Sequence, residues 1–179
     1  MIKNILKGLI LNTEVYSRNS TCINRKVGAC IFNPDNEDII SYGTNRIPNK
    51  LCSCKDVNEC KRRKLGYQSG EGLEYCRCIH AEVDAILQAA KKGKQCNGMH
   101  IYVNTPPCAE CVMHIYQAGI ECIFCGGDYP EEVKRSGKLM AEALGVHYIT
   151  LDQIMCEKEL EKMKKIAKWI SGEGCENNV

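Results

Sequence analysis

The sequence has 179 residues, 24 Lys and Arg against 22 Asp and Glu, and an unusual 14 Cys. Its length suits one domain with a sizeable core, and a hydrophobic share of 44% with 26% charged residues excludes an intrinsically disordered chain. The net charge of +2 gives no reason to expect a protein that binds nucleic acid or a membrane surface.

The predicted elements begin with an amphipathic helix over residues 2–18, where apolar residues recur at helical spacing. Two strands joined by a turn follow, then an irregular segment, and from residue 80 helices alternate with strands up to a last amphipathic helix. The predicted strands are 27–32, 39–42, 101–104, 120–125 and 146–150, and the later helices are 80–92, 108–118, 131–144 and 153–170. This alternation is typical of an α/β domain whose helices pack on a central sheet.

The irregular segment over residues 43–79 lacks periodicity and is too long for an ordinary loop. We predict that something other than backbone pairing organises it. It contains five of the cysteines, Cys52, Cys54, Cys60, Cys76 and Cys78. We treat it as a Cys-rich insertion in a domain over residues 1–150, and we treat residues 151–179 as a C-terminal helical extension.

The cysteines allow two interpretations, a secreted disulfide framework or an intracellular protein whose thiolates bind metal. Lys3 and Lys7 interrupt the apolar N-terminal run and no small-residue cleavage site follows, so we predict no signal peptide. No stretch approaches the roughly 20 apolar residues that a membrane-spanning helix needs. We therefore expect a reduced, cytoplasmic protein with no membrane partner, in which cysteines outside the core are ligands or catalytic groups.

The motif with the most chemical information pairs His80-Ala81-Glu82 with a Pro-Cys-Ala-Glu-Cys run at residues 107–111. Cys108 and Cys111 lie at i and i+3 on the first turn of a predicted helix, where free N–H groups and the helix dipole favour thiolates. Together with His80 they offer zinc three ligands and leave a fourth tetrahedral position for water, as a catalytic zinc needs. Glu82 can lie beside that water and move its protons, a pattern typical of zinc deaminases.

The sequence resembles the deoxycytidylate (dCMP) deaminases of the cytidine-deaminase superfamily over residues 5–150 or so. Outside the zinc motif, the segments that carry the resemblance include Val27-Gly28-Ala29, Ile39-Ile40-Ser41-Tyr42-Gly43-Thr44-Asn45, Ile101-Tyr102-Val103, Gln117-Ala118-Gly119-Ile120 and Asp128-Tyr129-Pro130. The resemblance implies a three-layer α/β/α fold with a central five-stranded mixed sheet. It also implies hydrolysis of dCMP to dUMP with release of ammonia, as part of pyrimidine nucleotide metabolism, with Glu82 as the proton carrier.

The resemblance further implies a set of substrate contacts. Asn45 matches an asparagine that holds the substrate near its sugar, and Tyr129 matches an aromatic residue near the nucleotide phosphate. Arg25 and Lys26 are the nearby cations, and a phosphate requires positive charge or several donors. The alternative interpretations are a turn-forming Asn, a Tyr at the edge of the core and solvated basic side chains.

Three residues depart from the family pattern. Arg46 stands where the family usually has Gly, and we expect this long cation at the mouth of the substrate pocket. Asp84 replaces an Asn and adds negative charge near the site, and Asn104 replaces a Thr. These departures leave the zinc chemistry intact, but they leave the identity of the base open.

Members with such an insertion often carry a second, structural zinc. The positions that best resemble its ligands are Cys22, Cys54, Cys60 and Cys76. Metal binding would supply the folding free energy that an irregular segment lacks. Cys52 competes with Cys54 and Cys78 with Cys76, and a loop of reduced thiols is the alternative.

Other functions stay open at this point. The same fold could deaminate cytidine or CMP, guanine, a riboflavin precursor or an adenosine in tRNA. A zinc-stabilised interaction module without catalysis is an alternative of a different class, although such a module has no use for Glu82. The family suggests a homo-oligomer, often a hexamer, regulated by dCTP and dTTP. We expect no nucleic-acid partner, since the basic run at residues 61–64 is typical of a solvated loop face.

Overall fold

The computed structural model describes residues 2–68, 71–127 and 130–170, and within these ranges it contains seven α-helices and five β-strands. The first elements are α1 (Ile2–Ser17), β1 (Gly28–Phe32), β2 (Ile39–Thr44), α2 (Cys54–Val57) and α3 (Lys61–Lys64). The later elements are α4 (Ala81–Lys91), β3 (His100–Val103), α5 (Ala109–Gln117), β4 (Cys122–Cys125), α6 (Glu131–Leu144), β5 (His147–Thr150) and α7 (Glu157–Ile170). Short 3₁₀ helices cover Leu73–Tyr75 and Leu151–Gln153.

The strands form one mixed sheet in the order β2-β1-β3-β4-β5. Strand β1 pairs in antiparallel fashion with both β2 and β3, whereas β3, β4 and β5 run parallel to one another. Each parallel step crosses over through a helix, α5 after β3 and α6 after β4, as parallel neighbours require. The predicted five-stranded mixed sheet is confirmed.

Helices cover both faces of this sheet. Because successive strand residues point to opposite faces, Ile31 and Ile123 pack with α4, α5 and α6, whereas Phe32 and Phe124 pack with α1 and α7. All four of these side chains are buried. The result is the predicted three-layer α/β/α arrangement.

Helix α4 packs directly on β2, which ends at Thr44 and is longer than predicted. The first two residues of the predicted insertion therefore belong to the sheet. A Cβ atom on Gly43 would lie 2.2 Å from both the Ala81 carbonyl oxygen and the Ala85 amide nitrogen. Glycine is thus required where the strand meets the start of the helix.

The C-terminal helix begins later than predicted. Helical spacing indicated a start at residue 153, but a 3₁₀ turn comes first and α7 starts at Glu157. The Thr150 amide donates a hydrogen bond of 2.8 Å to the Gln153 side chain, which stabilises that turn.

Helix α7 then packs on α1, where Lys7 and Glu159 form an ion pair at 3.3 Å. The division of the chain at residue 150 stays a prediction, and residues 171–179 lie outside the described ranges. Across the described ranges, every helix is too short or too polar to cross a membrane.

Candidate metal centre and active site

Two helix starts converge to form a cluster of metal-binding side chains. His80 is the N-cap residue of α4, Cys108 is the N-cap residue of α5, and Cys111 lies on the first turn of α5. The Nδ1 atom of His80 lies 3.3 Å from the Cys111 sulfur and 3.7 Å from the Cys108 sulfur. Of the His, Cys, Asp and Glu residues that the structure describes, only these three bring three ligand atoms within 4.8 Å of one another.

This spacing fits a zinc ion. With Zn–N bonds of about 2.0–2.1 Å and Zn–S bonds of about 2.3 Å, a nitrogen and a sulfur on one tetrahedral zinc are about 3.6 Å apart. The two observed nitrogen–sulfur distances, 3.3 and 3.7 Å, bracket that value. Imidazole and thiolate are also donors that zinc prefers, whereas magnesium and calcium prefer oxygen. His80, Cys108 and Cys111 are therefore suited to hold zinc, with one position left for water.

Electrostatics within the cluster favour the ligand form of the cysteine that caps α5. A hydrogen bond from the Cys111 thiol lowers the pKa of Cys108 to about 4, although burial acts in the opposite direction. Cys108 is thus a thiolate at neutral pH, the form that binds zinc. The hydrogen bond between this thiolate and His80 raises the pKa of His80 to about 9.

Glu82 provides a buried carboxyl group next to the cluster. It lies on the first turn of α4, is 4% exposed, and is within hydrogen-bonding distance of the Cys111 thiol. Burial raises the pKa of Glu82 because the charged form loses its hydration, while the positive charge of His80 acts in the other direction. A raised pKa makes the carboxylate a better proton acceptor, as a group that carries protons requires.

A cavity of about 330 Å³ opens beside this cluster, and His80, Glu82 and Cys108 line it. Asn45 also lines the cavity, but its side chain is engaged within the protein. Its Oδ1 atom accepts hydrogen bonds from the Ser20 hydroxyl at 2.6 Å and from the backbone of residue 27 at 2.8 Å. Its Nδ2 atom donates to the backbone of residue 25 at 3.0 Å. Asn45 thus holds the segment before β1 against the cavity, and its contact with substrate stays a prediction.

The other predicted substrate contacts lie in different places. Arg25 lines the cavity, whereas Lys26 lines a neighbouring cavity at the carboxyl ends of β3, β4 and β5. Arg46 is not among the residues that line the metal-site cavity, because its guanidinium is bonded to Asp84 at 2.8 Å. Tyr129 lies outside the described residues.

Besides Cys108, five more cysteines line the same cavity, namely Cys22, Cys54, Cys60, Cys76 and Cys78. All four predicted ligands of a second zinc are among them, whereas Cys52 is exposed and lies elsewhere. The Cys78 thiol is within hydrogen-bonding distance of two others, and it lowers the pKa of Cys22 to about 6 and that of Cys76 to about 5. In the described part of the chain, no three of the five sulfurs come within 4.8 Å of one another.

Sequence reasoning missed two arginines of the cavity wall. Arg62 and Arg63 line the cavity, while Lys61, Arg63 and Lys64 are exposed, as expected of a solvated face. The Arg62 guanidinium donates to the carbonyl oxygens of Glu71 and Gln68 at 2.8 and 2.9 Å, which fixes it on the wall. The signal that could have found them is their position two and three residues after Cys60, a predicted zinc ligand inside the insertion.

Comparison with known proteins identifies the family. Residues 7–127, more than half of the chain, match the family model described as the cytidine and deoxycytidylate deaminase zinc-binding region. The chain belongs to this deaminase family. His80, Glu82, Cys108 and Cys111 all lie in the matched range, and the family's zinc agrees with the donor set described above.

Curated relatives are deoxycytidylate deaminases of animals and fungi, among other proteins. The human enzyme is 34% identical over 127 residues, which cover 70% of this chain and 67% of the relative. The Schizosaccharomyces pombe enzyme is 32% identical over 105 residues, which cover 59% of this chain and 31% of the relative. The chain thus matches between about a third and two thirds of the length of these relatives.

Solved structures share the fold. A dCMP deaminase from the cyanophage S-TIM5, in complex with dCMP and dUMP, has a TM-score of 0.67 at 24% identity and covers 84% of this chain and 98% of its own. A diaminohydroxyphosphoribosylaminopyrimidine deaminase/reductase from Thermotoga maritima has a TM-score of 0.60 at 20% identity and covers 97% of this chain and 43% of its own. The cytidine-deaminase-like fold that the sequence indicated is confirmed.

Proposed function

We propose that this protein catalyses the hydrolytic deamination of dCMP to dUMP with release of ammonia. The observation that carries the proposal is the buried Glu82 carboxyl beside His80, Cys108 and Cys111, at a cavity that three arginines also line. The deoxycytidylate deaminase relatives support the choice of dCMP over the other bases.

In this proposal the residues of the chain position the reactants and move protons. Zinc bound by His80, Cys108 and Cys111 would supply the Lewis acidity that makes water a nucleophile near neutral pH. A carboxylate oxygen of Glu82 accepts a proton from that water, and the oxygen of the water attacks C4 of the cytosine ring. Glu82 passes the proton to N3 of the ring. Glu82 then delivers the second proton of the water to the amino group, which leaves C4 as ammonia. Burial of Glu82 helps because it lets the carboxyl hold each proton between the two transfers.

The arginines of the cavity wall fit the 5′-phosphate of the nucleotide. Arg25, Arg62 and Arg63 line the cavity together, and guanidinium groups bind phosphate oxygens through charge-assisted, often bidentate hydrogen bonds. We also propose that Asn45 contacts the substrate, through the Nδ2 hydrogen that the Arg25 carbonyl does not use. Tyr129 belongs to the same proposal, by resemblance alone.

A substrate panel tests the function directly. Purified full-length protein with zinc should release ammonia from dCMP and much less from deoxycytidine, CMP, dCTP or adenosine-containing RNA. Activity on guanine, a riboflavin precursor or tRNA adenosine, with none on dCMP, would mean that the protein is a deaminase of the same fold with a different substrate. Inactivity on all of them, with zinc bound, would favour the interaction module.

We also propose a structural zinc beside the catalytic one. Cys22, Cys54, Cys60 and Cys76 line one cavity, and a metal there would tie together a segment whose described helices are single turns. Cys78 lies within hydrogen-bonding distance of Cys22 and Cys76 and competes with Cys76 for this role. Metal analysis of the purified protein should find about two zinc ions per chain, and a value near one would rule the structural site out.

A homo-oligomer in the cytoplasm completes the proposal. Leu87 on α4 and Met113 and Tyr116 on α5 are large apolar side chains, each more than 40% exposed, on helices that pack side by side. Large apolar side chains exposed on neighbouring helices are a common feature of subunit contacts. Light scattering on the purified protein tests for an oligomer, including a hexamer, and the same assay with added dCTP and dTTP tests the regulation that the family resemblance suggests.

A further inference from the structure

Asp84 is a buried carboxylate that neither the zinc cluster nor the cavity uses. It lies on α4, one turn after His80, and is 2% exposed. Its Oδ1 atom accepts hydrogen bonds from Arg46 Nη2 at 2.8 Å, Arg46 Nε at 3.0 Å and Gln88 Nε2 at 3.1 Å. Its Oδ2 atom accepts one from the Thr44 amide at 3.1 Å. A buried charge is stable only when it is paired in this way.

Arg46 also holds the chain on the other side of His80. Its backbone N–H donates to the Ile79 carbonyl oxygen at 3.1 Å, and the Ile79 N–H donates back at 2.8 Å. Arg46 therefore binds the residue before His80 through its backbone, and Asp84, which follows His80 by one helical turn, through its side chain.

This double attachment matters because helix α4 lacks a cap of its own. Ser, Thr, Asp or Asn usually caps a helix start with a side-chain hydrogen bond. Here the N-cap residue is His80, whose imidazole faces the cysteine sulfurs and makes no such bond. The direction of the first turn, which carries Glu82, must be set by contacts from outside the helix.

We propose that Arg46 and Asp84 form a positioning pair that orients His80 and Glu82 for zinc binding and proton transfer. The pair acts through the first turn of α4, and Arg46 is not a substrate contact. The catalytic half of this inference rests on the proposed deaminase function, whereas the zinc-binding half stands on geometry alone. Groups that orient metal ligands typically change metal affinity or activity by about 10- to 100-fold when they are removed.

Three variants of the full-length protein test the pair: Arg46→Ala, Asp84→Asn, and the two changes combined. We expect Arg46→Ala to weaken zinc retention against a chelator by about tenfold and to lower kcat for dCMP by a similar factor. KM should change by less than about twofold, since Arg46 does not line the cavity. The double variant should lose no more than the worse of the two single variants, because either change alone already removes the contact that orients the helix.

The melting temperature of every variant is measured, and the assays are run well below it. A loss of zinc or of activity then reflects misplaced ligands and not unfolded protein. Lys64→Ala is the matched control, because it removes a cation whose partner Glu59 is solvent-exposed, and it should change none of these readouts. A lower melting temperature with normal zinc retention and normal kcat would overturn the proposal in favour of a purely structural pair. A raised KM with normal kcat would overturn it in favour of a substrate contact. If dCMP proves not to be a substrate, zinc retention in the three variants still decides the zinc-binding half.

Discussion

The catalytic cysteines and the cysteines of the insertion are held in different ways. Cys108 and Cys111 lie on the first turn of a nine-residue helix that packs on the sheet. Cys54 and Cys60 border helices of four residues each, and the described residues between β2 and α4 form no strand. In the first group secondary structure brings both sulfurs and the His80 nitrogen to zinc-binding distances. In the second group the described sulfurs line one cavity, but no three of them come within 4.8 Å of one another. We infer that the secondary structure alone positions the ligands of the catalytic site. The insertion, by contrast, would need a bound metal to hold its conformation.

The largest expected effect tests the chemistry of the helix-held site. Glu82→Gln keeps the shape of the side chain but cannot carry a proton, so turnover of dCMP should fall by about 10³-fold. Zinc content should not change, because Glu82 is not one of the three clustered ligands. Glu142→Gln, which changes an exposed carboxyl on α6, is the control. Near-normal turnover by Glu82→Gln would disprove the assigned role.

Sequence reasoning succeeded where chemistry follows local spacing. The i, i+3 cysteines and the His-x-Glu triplet fall on helix starts, so a few neighbouring residues predict the metal cluster. It failed where residues meet through packing. Arg46 and Asp84 were two separate departures from the family pattern, and only the contact of β2 with α4 shows that they pair. The position of Arg62 could not be predicted, because an irregular segment has no periodicity that indicates where its side chains point.

The next largest expected effect tests whether a metal organises the insertion. Cys54→Ser should lower the zinc content from about two to about one ion per chain. It should also speed cleavage by trypsin at the basic run of residues 61–64, because metal binding would supply the free energy that folds this segment. Zinc at His80, Cys108 and Cys111 should remain. Cys52→Ser, at an exposed position away from the cavity, should behave like the unchanged protein. Equal zinc content and equal proteolysis in both variants would mean that thiols alone hold the insertion.

A smaller effect tests how tightly the fold itself holds the catalytic helix. Gly43→Ala places a methyl group 2.2 Å from backbone atoms of Ala81 and Ala85, so α4 must shift. Overpacking of this kind costs about 1–3 kcal/mol, which lowers the melting temperature by several degrees in a chain of this size. Gly8→Ala is the matched control, because nothing lies within 4 Å of the added atom and alanine favours the helix. A normal melting temperature for Gly43→Ala would show that α4 can move away from β2 at no cost.

The smallest expected effect tests whether the insertion, and not the helix-held zinc site alone, contributes to substrate binding. Arg63 lines the cavity, yet it belongs to a single-turn helix of the insertion. If its guanidinium binds the nucleotide phosphate, Arg63→Ala should raise KM for dCMP by about tenfold, since a hydrogen bond to a charged group contributes about 1.5–3 kcal/mol. It should leave kcat/KM for deoxycytidine unchanged, because that substrate has no phosphate. Steady-state kinetics on both substrates separate the outcomes, with the neighbouring Lys64→Ala as control. Equal losses on both would mean that Arg63 only shapes the insertion, through its 3.0 Å hydrogen bond to the Tyr67 carbonyl oxygen.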